Sequence, residues 1–245
     1  MISIITVVLN SEELLEKTIL SVINQSYSDV EYLIIDGGSS DGTVDIIKKY
    51  EKHIDYWSSS PDSGISHAFN KGLSQSSGDV IGILNAGDTF FADSFSVVSK
   101  AFKVNDIDYL YGNSVLKDIN NNKIRVLKPK STDDFPYGGM PFQHSALFVT
   151  RKVYDIVGYF NVNYRIAMDF ELYLRIKKLN FKKHYLDKNL TSYHRGGLSD
   201  KYYFRGNYEA LCASLSYEKV SFLRIIGKAA YQIVKTTIRK ILEKI

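Results

Sequence analysis

Short apolar runs alternate with stretches of helical period through the first half of the chain. Ile2-Ser3-Ile4-Ile5-Thr6-Val7-Val8-Leu9, Tyr32-Leu33-Ile34-Ile35 and Val80-Ile81-Gly82-Ile83-Leu84 carry apolar side chains on both faces. That pattern predicts strands buried on both sides. Between them, Leu14, Leu15, Thr18, Ile19 and Val22 recur at helical spacing behind a Ser11 cap. A second helix is predicted from Thr43 to Glu51, capped by Ser40 or Asp41, and a short strand at Ile54–Ser58 ends before Pro61. A third helix places Ala68, Phe69 and Leu73 on one side. Strands alternating with helices imply βαβ units and a largely parallel sheet.

The second half is less regular. Tyr109–Lys117 and Lys123–Lys128 flank Asp118-Ile119-Asn120-Asn121-Asn122 and predict a hairpin. A loop rich in Pro and Gly, Pro129–Phe142, precedes a predicted strand at Ser145–Val149, then helices near Arg151–Val157 and Asp169–Lys178.

The fold class is therefore α/β, a mostly parallel, mixed sheet flanked by helices. Residues 1–218 form the main domain, divided near residue 115 into a regular first half, 1–115, and a less regular second half, 116–218; 219–245 is a C-terminal appendage. The length of 245 residues suffices for a full core. The single cysteine, Cys212, excludes a disulfide framework and a thiolate metal site and fits a reducing compartment. The N-terminus enters a strand directly, unlike a signal peptide, and no apolar run approaches the roughly 20 residues of a membrane span. The expected location is the cytoplasm, at the inner face of the membrane.

Charge refines this picture. The net charge is +4, but residues 219–245 hold seven basic residues against one acid, +6, leaving −2 for the body. On a helix, Arg224, Lys228, Lys235 and Arg239 share one arc and Phe222, Ile225, Ile226, Ala229 and Ile233 another, with Lys240 and Lys244 intruding on the apolar side. Such a segment suits an anionic bilayer surface. Packing on its own domain or in a homodimer are the alternatives. A nucleic-acid partner is not expected.

Three predicted strands end in polar residues, at Asn10, at Asp36-Gly37-Gly38 and at Asn85-Ala86-Gly87-Asp88. The carboxyl edge of an open α/β sheet is where ligands bind. In order along the chain, Thr6-Val7-Val8-Leu9-Asn10, Ile35-Asp36-Gly37-Gly38-Ser39-Ser40-Asp41-Gly42-Thr43, Asp62-Ser63-Gly64-Ile65, Asn70-Lys71-Gly72 and Leu84-Asn85-Ala86-Gly87-Asp88 resemble the inverting family 2 glycosyltransferases of the GT-A fold. The likeness is strongest to bacterial enzymes building surface polysaccharides, and it covers about residues 2–200.

The resemblance implies a nucleotide-sugar donor, UDP-linked, held by Thr6, Asn10, Asp36, Asp62, Lys71, Asn85, Ala86, Gly87 and Arg195. It implies Mn²⁺ or Mg²⁺ on Asp88, although Asn85 and Gly87 stand where many relatives have acids or serine. One carboxylate suffices when phosphates complete the shell. Asp169, in Asp169-Phe170-Glu171-Leu172, matches the base that deprotonates the acceptor; His144 and Glu171 are its supporting candidates, Glu171 through pairing with a neighbour. The implied acceptor is a saccharide on a lipid diphosphate. Plainer roles stand beside these: Asp36 as a turn former, Asp41 and Asp169 as helix caps, Lys71 as a solvated cation, His144 as a structural histidine, His194-Arg195-Gly196-Gly197-Leu198-Ser199 as a tight turn. A sugar nucleotidyltransferase and a catalytically silent nucleotide-sugar-binding protein are the rival functions.

Overall fold

The computed structural model describes residues 1–118, 123–130 and 139–217, with 227, 230, 231 and 234. Strands β1 (Ile2–Val8), β2 (Val30–Asp36), β3 (Tyr56–Ser59) and β4 (Val80–Asn85) alternate with helices α1 (Glu12–Ile23), α2 (Thr43–Lys49) and α3 (Ile65–Gln75). A two-residue strand β5 (Thr89–Phe90) and helix α4 (Ser94–Val104) lead into β6 (Tyr109–Asp118), β7 (Lys123–Leu127), β8 (Leu147–Thr150) and helices α5 (Arg151–Val157) and α6 (Met168–Lys178). Strand β9 (Lys183–His194) and helices α7 (Leu198–Lys201) and α8 (Tyr203–Tyr217) follow.

The sheet order is β3-β2-β1-β4-β8-β6-β9-β5, with β7 on β6. β1 to β4 are mutually parallel, whereas β8 runs antiparallel to both β4 and β6. The mixed sheet is as expected, and it continues through residue 115 within β6.

All seven residues of β1 are buried because helices cover both faces. On one face Ile5, Val7, Leu33, Ile35, Ile81 and Ile83 meet α3, α5, α6 and α8. On the other, Ile4, Val8, Ile34 and Leu84 meet Leu15 and Ile19 of α1, Ile47 of α2 and Phe95 and Val98 of α4.

Several boundaries move. Ser11 precedes α1, but its hydroxyl donates to Leu9 O (3.1 Å); Asp41 Oδ2 instead accepts the Glu12 N–H (3.2 Å), and its Oδ1 accepts that of Thr43 (3.0 Å). One carboxylate thus serves the starts of two helices, a stronger acceptor than a hydroxyl. Leu14 is 42% exposed rather than inward. Residues 144–146 form a 3₁₀ turn ahead of β8, not its first residues. The hairpin is present as β6 on β7, while its turn at 119–122, much of the 129–142 loop and all but four residues of the tail proposed as amphipathic lie outside the described residues.

Candidate active site

Sheet register brings the strand ends to one edge. Val8 lies opposite Asp36, Asp36 opposite Ser59, and Val7 opposite Asn85. At this edge Asp36 is fully buried; its carboxylate accepts the N–H groups of Gly38 (3.1 Å) and Ser39 (3.0 Å) and the hydroxyls of Ser39 and Ser59 (2.6 Å to Ser59). It therefore organises the turn that follows β2. Asn10, in the left-handed region at φ 47°, locks onto the same turn: its N–H donates to Ser39 Oγ (2.8 Å) and its Oδ1 accepts the Ser40 N–H (2.9 Å).

Asp62 accepts the Gly64 N–H (2.8 Å), and a Cβ on Gly37 would come within 2.7 Å of its other oxygen. A side chain at position 37 would push this carboxylate away from the β2 turn. Lys71 reaches back from α3 to Ser60 Oγ (3.0 Å). Thr6 is not brought to the crevice. It is fully buried two residues inside β1, and its hydroxyl pairs with that of Tyr32 (3.2 Å) among α1 and α2. A strand-end motif need not expose each of its members.

The loop after β4 carries Asp88. Gly87 adopts φ 98°, a left-handed backbone that favours glycine, and turns the chain so that the Asp88 N–H returns to Asn85 O (3.0 Å). Thr18 of α1 pins the loop from beneath, accepting the Gly87 N–H (2.9 Å) and donating to Asp88 O (2.8 Å). This anchor lay hidden in the sequence as the one hydroxyl within an apolar helix face. Ala86, partly buried, donates its N–H to Val7 O (3.2 Å) and continues the sheet into the loop. Burial pushes the Asp88 carboxyl up to about 7, with a hydrogen bond from Ser145 opposing the shift.

β9 passes alongside, with Ser192 Oγ and Thr89 Oγ1 2.8 Å apart. The hydroxyl of Tyr193 is raised by burial and then by the Asp88 charge, while Arg195 acts in the opposite sense. Asp88 and Arg195 thus act on one side chain. Arg195 itself is exposed just beyond β9 and is followed by Gly196 at φ 100°.

The other wall comes from Asn85, His144 and Asp169. Asn85 Nδ2 donates to His144 Nε2 (3.2 Å), so a neutral His144 carries its proton on Nδ1. The Asn85 Oδ1 is buried without a partner. His144 and Asp169 line one small cavity with Ile83, Leu147, Tyr154, Phe160 and Leu172. Burial lowers the imidazole and raises the carboxyl, each opposed by the charge of the other. Among apolar walls Asp169 is a stronger base than a solvated carboxylate.

Glu171 turns away and is fully buried. It accepts Arg175 Nε (3.0 Å), Arg175 Nη2 (2.8 Å) and the Tyr217 hydroxyl (2.7 Å). Its place is in a structural network, as its spacing from Asp169 requires. Among the described residues, no group of three or more His, Cys, Asp or Glu side chains is arranged to hold a metal ion.

The family model described as Glycosyl transferase family 2 matches residues 3–171, which include the Asp36 turn, the Asp88 loop and Asp169. The chain belongs to this family. An uncharacterised glycosyltransferase of Mycobacterium tuberculosis is 30% identical over 179 residues, 71% of this chain and 68% of its own length. A PGL/p-HBAD biosynthesis glycosyltransferase of Mycobacterium bovis is 26% identical over 217 residues, covering 82% of this chain and 79% of that protein.

Solved structures share the GT-A glycosyltransferase fold. Residues 1–349 of Staphylococcus aureus TarS, in complex with UDP-GlcNAc, superpose with a TM-score of 0.70 at 15% identity, covering 89% of this chain and 68% of that one. The mannosyltransferase PcManGT of Pyrobaculum calidifontis, in complex with GDP-Man and Mn²⁺, gives 0.69 at 14% identity, covering 90% and 65%. The chain spans 40% of the longer TarS chain.

Proposed function

We propose that this family 2 glycosyltransferase is an inverting hexosyltransferase, moving a sugar from a UDP-linked donor to a hydroxyl of a saccharide carried on a lipid diphosphate, in surface-polysaccharide synthesis. The observation that carries this reading is the juxtaposition of a donor-side loop and a base. Asn85 continues into Asp88 on one side and bonds His144 on the other, and His144 shares its cavity with Asp169. The structural neighbours named with UDP-GlcNAc and GDP-Man support a nucleotide-sugar donor.

In this mechanism the base and ribose lie along the edge formed by Asn10, Asp36 and Asp62, with the diphosphate over residues 85–88 and Arg195 closing from β9. The acceptor hydroxyl oxygen attacks the anomeric carbon from the face opposite the diphosphate. Asp169 takes its proton, the C–O bond to phosphate breaks with its electron pair on the departing UDP, and an α-linked donor gives a β-glycoside. His144, held neutral by burial, adds no competing cation beside the base.

The residues fit a divalent cation that arrives with the donor. One desolvated carboxylate and an unpartnered Asn85 Oδ1 offer too little to hold Mn²⁺ or Mg²⁺ alone, yet enough beside diphosphate oxygens. Such an ion would supply Lewis-acid stabilisation of the leaving diphosphate. The PcManGT complex with Mn²⁺ supports that assignment.

Within this reading residues 1–115 form the donor half and 116–218 the half that carries the base. No helix among the described residues is long and apolar enough to cross a membrane. The +6 segment 219–245 then brings the enzyme to the inner membrane face, where its acceptor resides, with no nucleic acid involved and a homodimer as the other use of that segment.

The deciding experiment compares Asp169→Asn with the parent on a panel of nucleotide-sugars. Turnover is expected to vanish while donor binding, by calorimetry, stays within about twofold, since the amide keeps shape but accepts no proton. UDP rather than diphosphate is the expected product. Unchanged turnover by Asp169→Asn, or release of diphosphate, overturns the proposal.

A further inference from the structure

The N-terminus of α6 has no side chain of its own to cap it, because its cap residue is Ala167. The three preceding donors are nevertheless satisfied. Glu209 of α8 places Oε2 against the N–H groups of Arg165 (2.9 Å), Ile166 (2.8 Å) and Ala167 (3.0 Å). Its Oε1 accepts Arg205 Nε at 2.7 Å, one helical turn away, and the glutamate is only 6% exposed. Although burial acts to raise it, the bonds from Arg205 and the three N–H groups bring the carboxyl below its ordinary range. It is therefore an anion at neutral pH, and three N–H donors converging on one oxygen suit a full negative charge.

A second feature of α8 points the same way. Gly206, three residues before Glu209, faces the same turn: a Cβ there would come within 2.9 Å of Ile166 Cγ2. Glycine lets α8 approach closely enough for Glu209 to reach all three donors. Asp169 lies two residues beyond Ala167, in the first turn of α6, where its Oδ1 accepts the Phe170 N–H (2.7 Å).

We propose that Glu209 is the positioning residue for the catalytic base, with Gly206 setting the approach of α8 and Arg205 holding the carboxylate in register. The C-terminal helix, beyond the family match at residue 171, is thereby part of the catalytic device. This rests on Asp169 being the base. Glu209 touches neither donor nor acceptor; it fixes where the Asp169 carboxyl sits. An error of about 1 Å in such a group costs on the order of 100-fold in rate.

The test uses the full chain with Glu209→Ala, Glu209→Gln and Gly206→Ala, beside Asp169→Asn. Glu209→Ala is expected to lower kcat about 10- to 100-fold, with donor KM within about twofold. Loosening α6 admits water to Asp169, so the acidic limb of the kcat–pH profile moves down. Glu209→Gln, which keeps an accepting oxygen, recovers part of the loss, and Gly206→Ala reproduces the kcat defect from the other partner. Donor affinity and a cooperative thermal transition establish that each variant is folded. Wild-type kcat and pH profile in both Glu209→Ala and Gly206→Ala overturn the proposal, as does a fall confined to KM. Turnover surviving in Asp169→Asn marks failure of the base assignment instead, whatever the α8 variants do.

Discussion

Replacing Asp88 by Asn should stabilise the protein at alkaline pH while removing its use. The carboxyl moves from 3.8 to about 7 on folding, driven by burial. An acid whose folded pKa is raised binds its proton more tightly when folded. Its stabilising contribution is complete below about pH 4 and is lost as pH climbs through 7. Above that, the folded chain carries a desolvated charge that the unfolded chain solvates freely. Three pKa units at about 1.4 kcal/mol each set a ceiling near 4 kcal/mol. The residue is partly open to solvent, so about half, roughly 2 kcal/mol, is expected. The asparagine keeps an oxygen for Ser145 and the same volume. For a chain of this size 2 kcal/mol is about 4–8 °C in Tm. Thermal melts of both proteins without metal, at about pH 8 and about pH 4.5, give the assay, with the stability difference present only at the higher pH. In a second melt, Mn²⁺ with UDP raises the Tm of the parent and not of the variant, since a ligand stabilises only the state that binds it. An increment equal at both pH values, or a parent more stable than the variant at about pH 8, refutes the desolvation argument.

The Arg175 network supports a stability prediction. Arg175→Met removes two bonds to buried Glu171 and those to Val157 O (2.5 Å) and Tyr159 O (2.7 Å), leaving a buried charge with Tyr217 alone; urea unfolding should show a loss of about 3–5 kcal/mol. A loss below about 1 kcal/mol refutes that role. For the tail, a chain ending at Glu218 should lose flotation with anionic liposomes, and equal flotation of both forms excludes the +6 segment as the membrane contact.

Much of the proposed donor side was legible because it is local. The runs that form β1, β2 and β4 are hydrophobic on both faces, and the small-residue turns at Gly37-Gly38 and Gly87 follow them directly. Asp169 was legible as the start of a helix, and as a candidate base through the resemblance of Asp169-Phe170-Glu171-Leu172 to the family motif. β9 escaped because its first seven residues alternate weakly or are exposed, and its pairing with β6 shifts register around Gly112 and Asn113. Helices α4 and α8 carry their apolar faces among many polar residues.

The linear sequence by itself determined the fold class and the polar strand ends, since strand burial, turn chemistry and helix caps act over a few residues, and its family resemblance supplied the candidate donor loop and base. Only the tertiary structure decided which of these groups meet. It sealed Thr6 against Tyr32, saturated Asp36 with turn donors, joined Asn85 to His144 and set Glu209 under the turn before Asp169. The reason is physical: desolvation and convergent hydrogen bonding depend on neighbours far apart in the chain, and no local period records them.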